Sequence, residues 1–414
     1  MDLSKKDITI LQDLAKEYME VATLPVQEEK IKLWKSLNRG KMERPMVVID
    51  QLPLHELNVN GELDCYVEDP FWRSIEFELR LSLYKWRHFP VDMVLDPFIT
   101  IPKAIENSGF GIDVDREILH TDPDSDIVSQ QYKRQINDMD DLEKIKDMTI
   151  VHHEETSQLW LEQASYIFDG IAPVRSSGGL QFHLGVWDVL SQLMGVENIY
   201  FDLIDRPQLL HGAASRLTDS LLAGIRQANE LGVHNDIINT CHCSYIYTDE
   251  LLPSSGEGKG PYSKNVWAFG LAQLFSSVSP SVTEEFEIPY ITKLAKEFGM
   301  IYYGCCERLD DRLDIVKKIP NLKKVSCSPW NDPYVFAENM GEDLVMSSKP
   351  NPAYLAADSV DYDAIKKDLL ETLKAAKVNN VNLEFILKDI STVRYQPDRI
   401  TKWANIAMEV VNQY

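Results

Sequence analysis

The stretch MIYYGCCERLDDRLDIVKKIPNLKKVSC, residues 300–327, contains one complete unit of the fold. Residues 300–304 form a short apolar run of strand length, 312–318 repeat apolar residues at helical steps, and a second short run, 323–327, ends at Cys327. A strand, a helix and another strand in so little chain call for a parallel sheet. Working outward, the same rhythm recurs. Buried-strand runs read at 92–95, 171–174, 236–240, 266–269, 343–346 and 381–386, with amphipathic helices over 181–194, 207–231, 282–298, 333–340 and 362–377. Eight such strands make a closed (β/α)8 TIM barrel the economical α/β architecture, with an open doubly wound sheet as the alternative.

The remainder of the chain frames that barrel. Residues 1–88 read as an N-terminal helical extension packing on it, with apolar steps at Ile8, Leu11, Leu14, Tyr18 and Val21 and a short extended piece at 45–50. Residues 89–414 are the barrel itself, and a charge-rich insertion near 100–150 interrupts its rhythm.

Composition narrows the class of partner. Across 414 residues, 65 Asp+Glu outnumber 42 Lys+Arg for a net charge of −23, which argues against nucleic acid, since phosphate binding wants clustered cations. Lys317-Lys318 and Lys323-Lys324 read as a solvated helix face and strand entry. No apolar run approaches the ~20 residues of a membrane span, and the charged N-terminus lacks a signal-peptide pattern. The expectation is a cytoplasmic protein handling a small molecule or another protein, with no membrane and no nucleic-acid partner. Six cysteines are too few for a disulfide framework in a chain of this length.

In a barrel of this kind chemistry sits where strands end. That rule gathers Asp96, Arg175, Cys241-His242-Cys243, Cys305-Cys306-Glu307, Cys327, Lys349 and Lys388-Asp389 at one mouth. Cys306 and Cys327 would lie on neighbouring strand ends, where two thiolates suit zinc, with Glu285 from an adjacent loop, Cys305 or Glu307 completing the set. The plain alternative is that these cysteines are small buried apolar side chains. One residue of register decides which of Cys305 and Cys306 faces inward. His242 is an acid, base or substrate contact, or a packing residue. His152-His153-Glu154-Glu155 reads as a helix start, its acids complementing the dipole. The glycine-rich run 255–260 lacks the Walker spacing and reads as a loop.

Several passages together resemble the uroporphyrinogen decarboxylase superfamily, which includes corrinoid- and coenzyme M-linked methyltransferases. They are Val91-Asp92-Met93-Val94-Leu95-Asp96, Ser279-Pro280 through Glu285-Phe286 to Pro289-Tyr290, Tyr303-Gly304-Cys305-Cys306, Lys349-Pro350-Asn351-Pro352, and Tyr395-Gln396-Pro397 with Trp403. The resemblance implies a (β/α)8 barrel over roughly residues 45–414. Its methyltransferase branch uses zinc held by a His-x-Cys pair and a later cysteine; here the histidine position holds Tyr303 or Gly304. Its decarboxylase branch has an arginine-rich N-terminal signature, and the comparable stretch here reads VVIDQLP, residues 47–53.

The leading expectation is therefore a zinc-dependent methyltransferase. It would move a methyl group from a small methylated substrate to cobalamin on a separate corrinoid protein, with Asp96 or His242 orienting the substrate or managing a proton. The alternative is a metal-free decarboxylase of a tetrapyrrole or other carboxylated molecule, with Asp96 stabilising developing positive charge and Arg175, Lys349 or Lys388 holding carboxylates. A second alternative is a non-catalytic small-molecule-binding barrel.

Overall fold

The computed structural model describes residues 3–119, 128–251 and 260–414. Its parallel strands, in chain order, are Met46–Ile49 (β1), Ile99–Pro102 (β2), Val174–Ser177 (β3), Trp267–Gly270 (β4), Met300–Tyr303 (β5), Leu322–Cys327 (β6), Val345–Ser348 (β7) and Asn382–Leu387 (β8). Six of them form one continuous parallel sheet in the order β1-β8-β7-β6-β5-β4, and β2 pairs in parallel with β3. Nearly every residue of the six is buried, as a parallel sheet covered on both faces requires. A ladder running round all eight is not formed among the described residues. Single backbone contacts mark the two edges instead: Asp92 N–H donates to Val47 O (2.9 Å) beside β1, and Leu184 N–H to Phe269 O (2.7 Å) beside β4.

The period of two sorts the sheet's side chains. Val47, Ile49, Ile301, Tyr303, Val325, Cys327, Met346, Phe385 and Leu387 join the outer core shared with the helices. Met46, Val48, Val345 and Ile386 face inward around Trp34, while Trp267, Phe269, Met300 and Tyr302 face inward with Cys305. Trp34, from the helix Pro25–Asn38, is wholly buried and donates its indole N–H to Asp92 O at 2.9 Å, forming a floor under the strands' N-terminal ends. Above it lies an ion pair, Lys324 Nζ to Glu384 Oε2 at 2.8 Å, with both side chains fully buried. Lys324 is thus an inner-face residue of β6 and not part of a solvated strand entry.

Three expectations are corrected. Residues 92–95 do not form a strand, because the Asp92 carboxylate itself accepts from Val47 N–H (2.9 Å) and from Arg44 (2.7 and 2.9 Å), replacing ladder bonds with side-chain ones. Nor do 236–240: Asn235 Oδ1 accepts from the N–H groups of Ile237 and Ile238 and turns the chain aside. The expected helical extension, 1–88, contributes β1 to the central sheet. The insertion near 100–150 contains two antiparallel ladders, Ile105–Asn107 with Ile150–His152 and Arg116–Leu119 with Ser129–Tyr132. A helix, Glu154–Ile167, does begin at His153 with both acids in its first turn. Residues 255–259 of the glycine-rich run lie outside the described residues. No described helix is long and apolar enough to cross a membrane.

On the outer face, burial and then the neighbouring Glu307 push the Asp188 carboxyl up to about 7. Below ~pH 4 both folded and unfolded chains hold that proton. As pH rises toward about 7 only the unfolded chain releases it, so folding loses stability across that window and no more above it. Asp188→Asn keeps an acceptor for Gln273 and is expected to remove the loss, on the order of 2 kcal/mol once partial exposure is allowed for. Thermal unfolding of parent and variant at pH 5 and pH 8 checks this; equal pH dependence in the two would refute it.

Candidate metal centre

The chemistry gathers where β5 and β8 end. Adjacent residues in an extended strand point to opposite faces, so Cys305 and Cys306 would ordinarily diverge. Gly304 breaks the alternation at φ +91°, a conformation in which a Cβ would meet Leu309 Cδ1 at 2.8 Å and Ser326 Cβ at 3.2 Å. Beyond it the two thiols meet, Sγ to Sγ, at 3.4 Å. The turn is held from behind by Glu307, which is buried and accepts from Cys305 N–H (2.6 Å) and Ala272 N–H (3.2 Å). Asp389, in the left-handed region at φ 55°, brings Oδ2 to 3.4 Å from Cys306 Sγ. Cys305, Cys306 and Asp389 have donor atoms within 4.8 Å of one another, the one such set among the described residues.

A cation already answers this negative cluster. Lys388 Nζ lies 3.2 Å from Cys305 Sγ and 2.6 Å from Asp389 Oδ2. Burial works against the ammonium, but Cys305, Asp389 and Cys306 outweigh it and hold Lys388 above the ordinary lysine range. The shared S–H hydrogen bond, aided by Lys388, draws the Cys305 thiol down and sends Cys306 up.

Next to this cluster, Lys349 Nζ donates to the Tyr302 hydroxyl and to Ser347 Oγ, and burial pulls its pKa down to about 8. His242 arrives from a two-residue hairpin: Thr240–Cys241 pairs with Ser244–Tyr245, leaving His242 (φ 44°) and Cys243 (φ 67°) as the turn. Such turns favour Asn-Gly, and bulkier residues there cost ~1–2 kcal/mol each. Packing holds the strain: the imidazole stacks on Phe269 with centroids 3.6 Å apart and meets the Tyr302 ring edge-on. Burial, then Lys349 and Lys388, lower the His242 pKa to about 2, so the ring is neutral.

The fold is similar to that of a methyltransferase from Methanosarcina mazei. The two share 13% identity with a TM-score of 0.51, over 92% of this chain and 98% of that one. At that identity the likeness is one of fold. No family model matches the chain, and no curated protein does.

The structure therefore joins some of the predicted residues and separates others. Cys305, Cys306, Lys388, Lys349 and His242 share the mouth. Cys327 does not: as the residue after inward Ser326 it faces the outer core and lines a cavity of about 360 Å³ with Phe385 and Trp403. Burial pushes its thiol well up. Glu285 lies on the outer helix Pro280–Phe286, 3.6 Å from His211. Asp96 stands in a second cluster, accepting from Tyr247 OH (2.9 Å) and Asn239 (3.1 Å). Burial raises its pKa, opposed by those bonds and by Arg175. Arg175 does not end its strand, which runs Val174–Ser177 rather than 171–174; its exposed guanidinium lies over Phe98 at 4.2 Å. Tyr302 and Asp389 are the residues that sequence reasoning left without a role. Asp389 stood on the roster of strand ends, but only the turn after β8 makes it a third donor.

Proposed function

We propose that this chain is a methyltransferase whose reaction site is the mouth at Cys305, Cys306 and Asp389. The observation that carries the proposal is this donor set. Two sulfurs and a carboxylate are three protein ligands, the number a catalytic zinc site uses beside its one open position. Their mutual separations, under 4.8 Å, fit a common ion at ~2.0–2.3 Å from each donor. We read the eight parallel strands as a (β/α)8 arrangement of the uroporphyrinogen decarboxylase type, and the fold neighbour's name, a methyltransferase, supports the same direction. The proposed reaction moves a methyl group from a small methylated substrate to cobalamin on a separate corrinoid protein.

Zinc held by Cys305, Cys306 and Asp389 would supply Lewis acidity to the heteroatom that loses the methyl group. The chain's own residues do the rest. Glu307 fixes the Cys305-Cys306 turn through two backbone bonds, and Lys388 balances the charge of Cys305 and Asp389. Phe269, with the stacked neutral His242, walls one side against water. Elemental analysis of untagged protein purified under reducing conditions tests the reading, together with an absorbance assay for methylation of reduced cobalamin by simple methylated donors. The expected result is about one zinc per chain and donor-dependent methylation. Failure to retain zinc after reconstitution would overturn it. A second reading draws on Asp96, whose carboxyl is raised by burial with Arg175 within electrostatic reach, and predicts carbon dioxide release from a carboxylated substrate.

A further inference from the structure

Of the three buried lysines among the described residues, two are answered by carboxylates: Lys324 by Glu384 at 2.8 Å and Lys388 by Asp389 at 2.6 Å. Lys349 is not. With 4% of its surface exposed, it has no carboxylate within ion-pair distance among the described residues, and its Nζ bonds only to the hydroxyls of Tyr302 and Ser347. Glu384 reaches it only through the shared Ser347 hydroxyl and is already paired with Lys324, so this buried ammonium lacks the direct counter-charge that would offset its desolvation. The same place holds a second unmet group. His242 Nε2 is buried without a hydrogen-bond partner. The strained hairpin and the Phe269 stack fix its ring against Tyr302, the residue whose hydroxyl Lys349 holds.

We infer that the substrate supplies both missing partners: a monoanionic oxyanion head, of the carboxylate kind, seats on Lys349 Nζ and His242 Nε2, while the rest of the molecule extends toward Cys305, Cys306 and Asp389. This rests on the mouth being the reaction site proposed above. One positive charge with no carboxylate in direct contact calls for one negative charge. A phosphate dianion would leave a second negative charge beside Cys305 and Asp389. A carboxylate also offers two oxygens to two donors, with the imidazole proton placed on Nε2.

The test uses the full chain, carrying isotope-labelled histidine and stripped of metal by chelation. It is titrated with acetate, acetamide and inorganic phosphate while the ring-nitrogen signals are followed, that of His242 being assigned with His242→Asn. Acetate is expected to move the His242 signal, with acetamide, the same shape without the charge, and phosphate each at least ~10-fold weaker. Lys349→Arg is expected to retain acetate and Lys349→Met to lose at least ~10-fold. Equal responses to acetate and acetamide in the parent protein would overturn the inference, and that comparison needs no variant to fold. Unchanged acetate binding in Lys349→Met would overturn it as well. Zinc content is read in parallel. Acetate binding that appears only after zinc loading would place the anion on the metal and overturn this inference alone. Acetate binding through Lys349 in protein that takes up no zinc would support it and overturn the methyltransferase reading alone.

Discussion

Lys324→Met is expected to lower the stability of the chain by about 3–5 kcal/mol, because it strands Glu384 as an unpaired charge in the interior. Both side chains are fully buried, 2.8 Å apart. The ammonium also donates to Ser244 Oγ (2.6 Å) and Tyr245 O (3.2 Å) and lies 5.4 Å over the Trp34 ring, so the loss reaches the hairpin and the floor together. Glu384 keeps only Ser244 and Ser347 as donors. The double variant Lys324→Met/Glu384→Leu is expected to recover most of the loss, since an apolar replacement of a buried pair is often close to neutral. Urea unfolding of the parent, the single and the double variant checks this. A single variant within ~1 kcal/mol of the parent would mean that the pair is solvated.

The second large effect concerns zinc. With zinc at the proposed site, Cys305→Ser and Cys306→Ser are each expected to weaken its binding ~100-fold or more, since even outer partners of a ligand are worth ~10–100-fold. Cys327→Ser is expected to leave zinc affinity unchanged. Its cost should fall instead on stability, ~1–3 kcal/mol for a hydroxyl placed in an apolar setting. Competition against a chromophoric chelator measures all three. Equal losses in Cys306→Ser and Cys327→Ser would show that the two sulfurs share an ion and that the outward orientation of Cys327 is wrong.

The cysteine contrast also shows how far the sequence could be read. Strand and helix rhythm located five of the eight parallel strands and met a sixth only at Val174, because their buried runs and the helices between them are set by local periodicity. The strand-end rule then placed Cys305, Cys306, Lys349, Lys388 and His242 at one mouth. It could not decide orientation. Period-two alternation turns Cys327 outward after Ser326, and the left-handed Gly304 turns two consecutive thiols the same way, so the same rule holds at one strand end and breaks at the other. Side-chain capture of the backbone was equally hidden. Asp92 opens one run of strand character and Asn235 immediately precedes another, yet their side chains take N–H groups that a ladder would use. Lys324 looked solvated because its partner Glu384 is 60 residues away in sequence.

The Trp34 floor and the ionic layer above it fill the interior at the strands' N-terminal ends, which leaves the reactants of the proposed reaction to approach from the opposite end. Traffic by one shared approach is sequential. Two reactants of unequal size cannot pass each other in it, so the smaller must load before the larger covers the rim, and its remnant leaves only after the larger has gone. Kinetics with two varied reactants should accordingly follow a compulsory order, with the small molecule first.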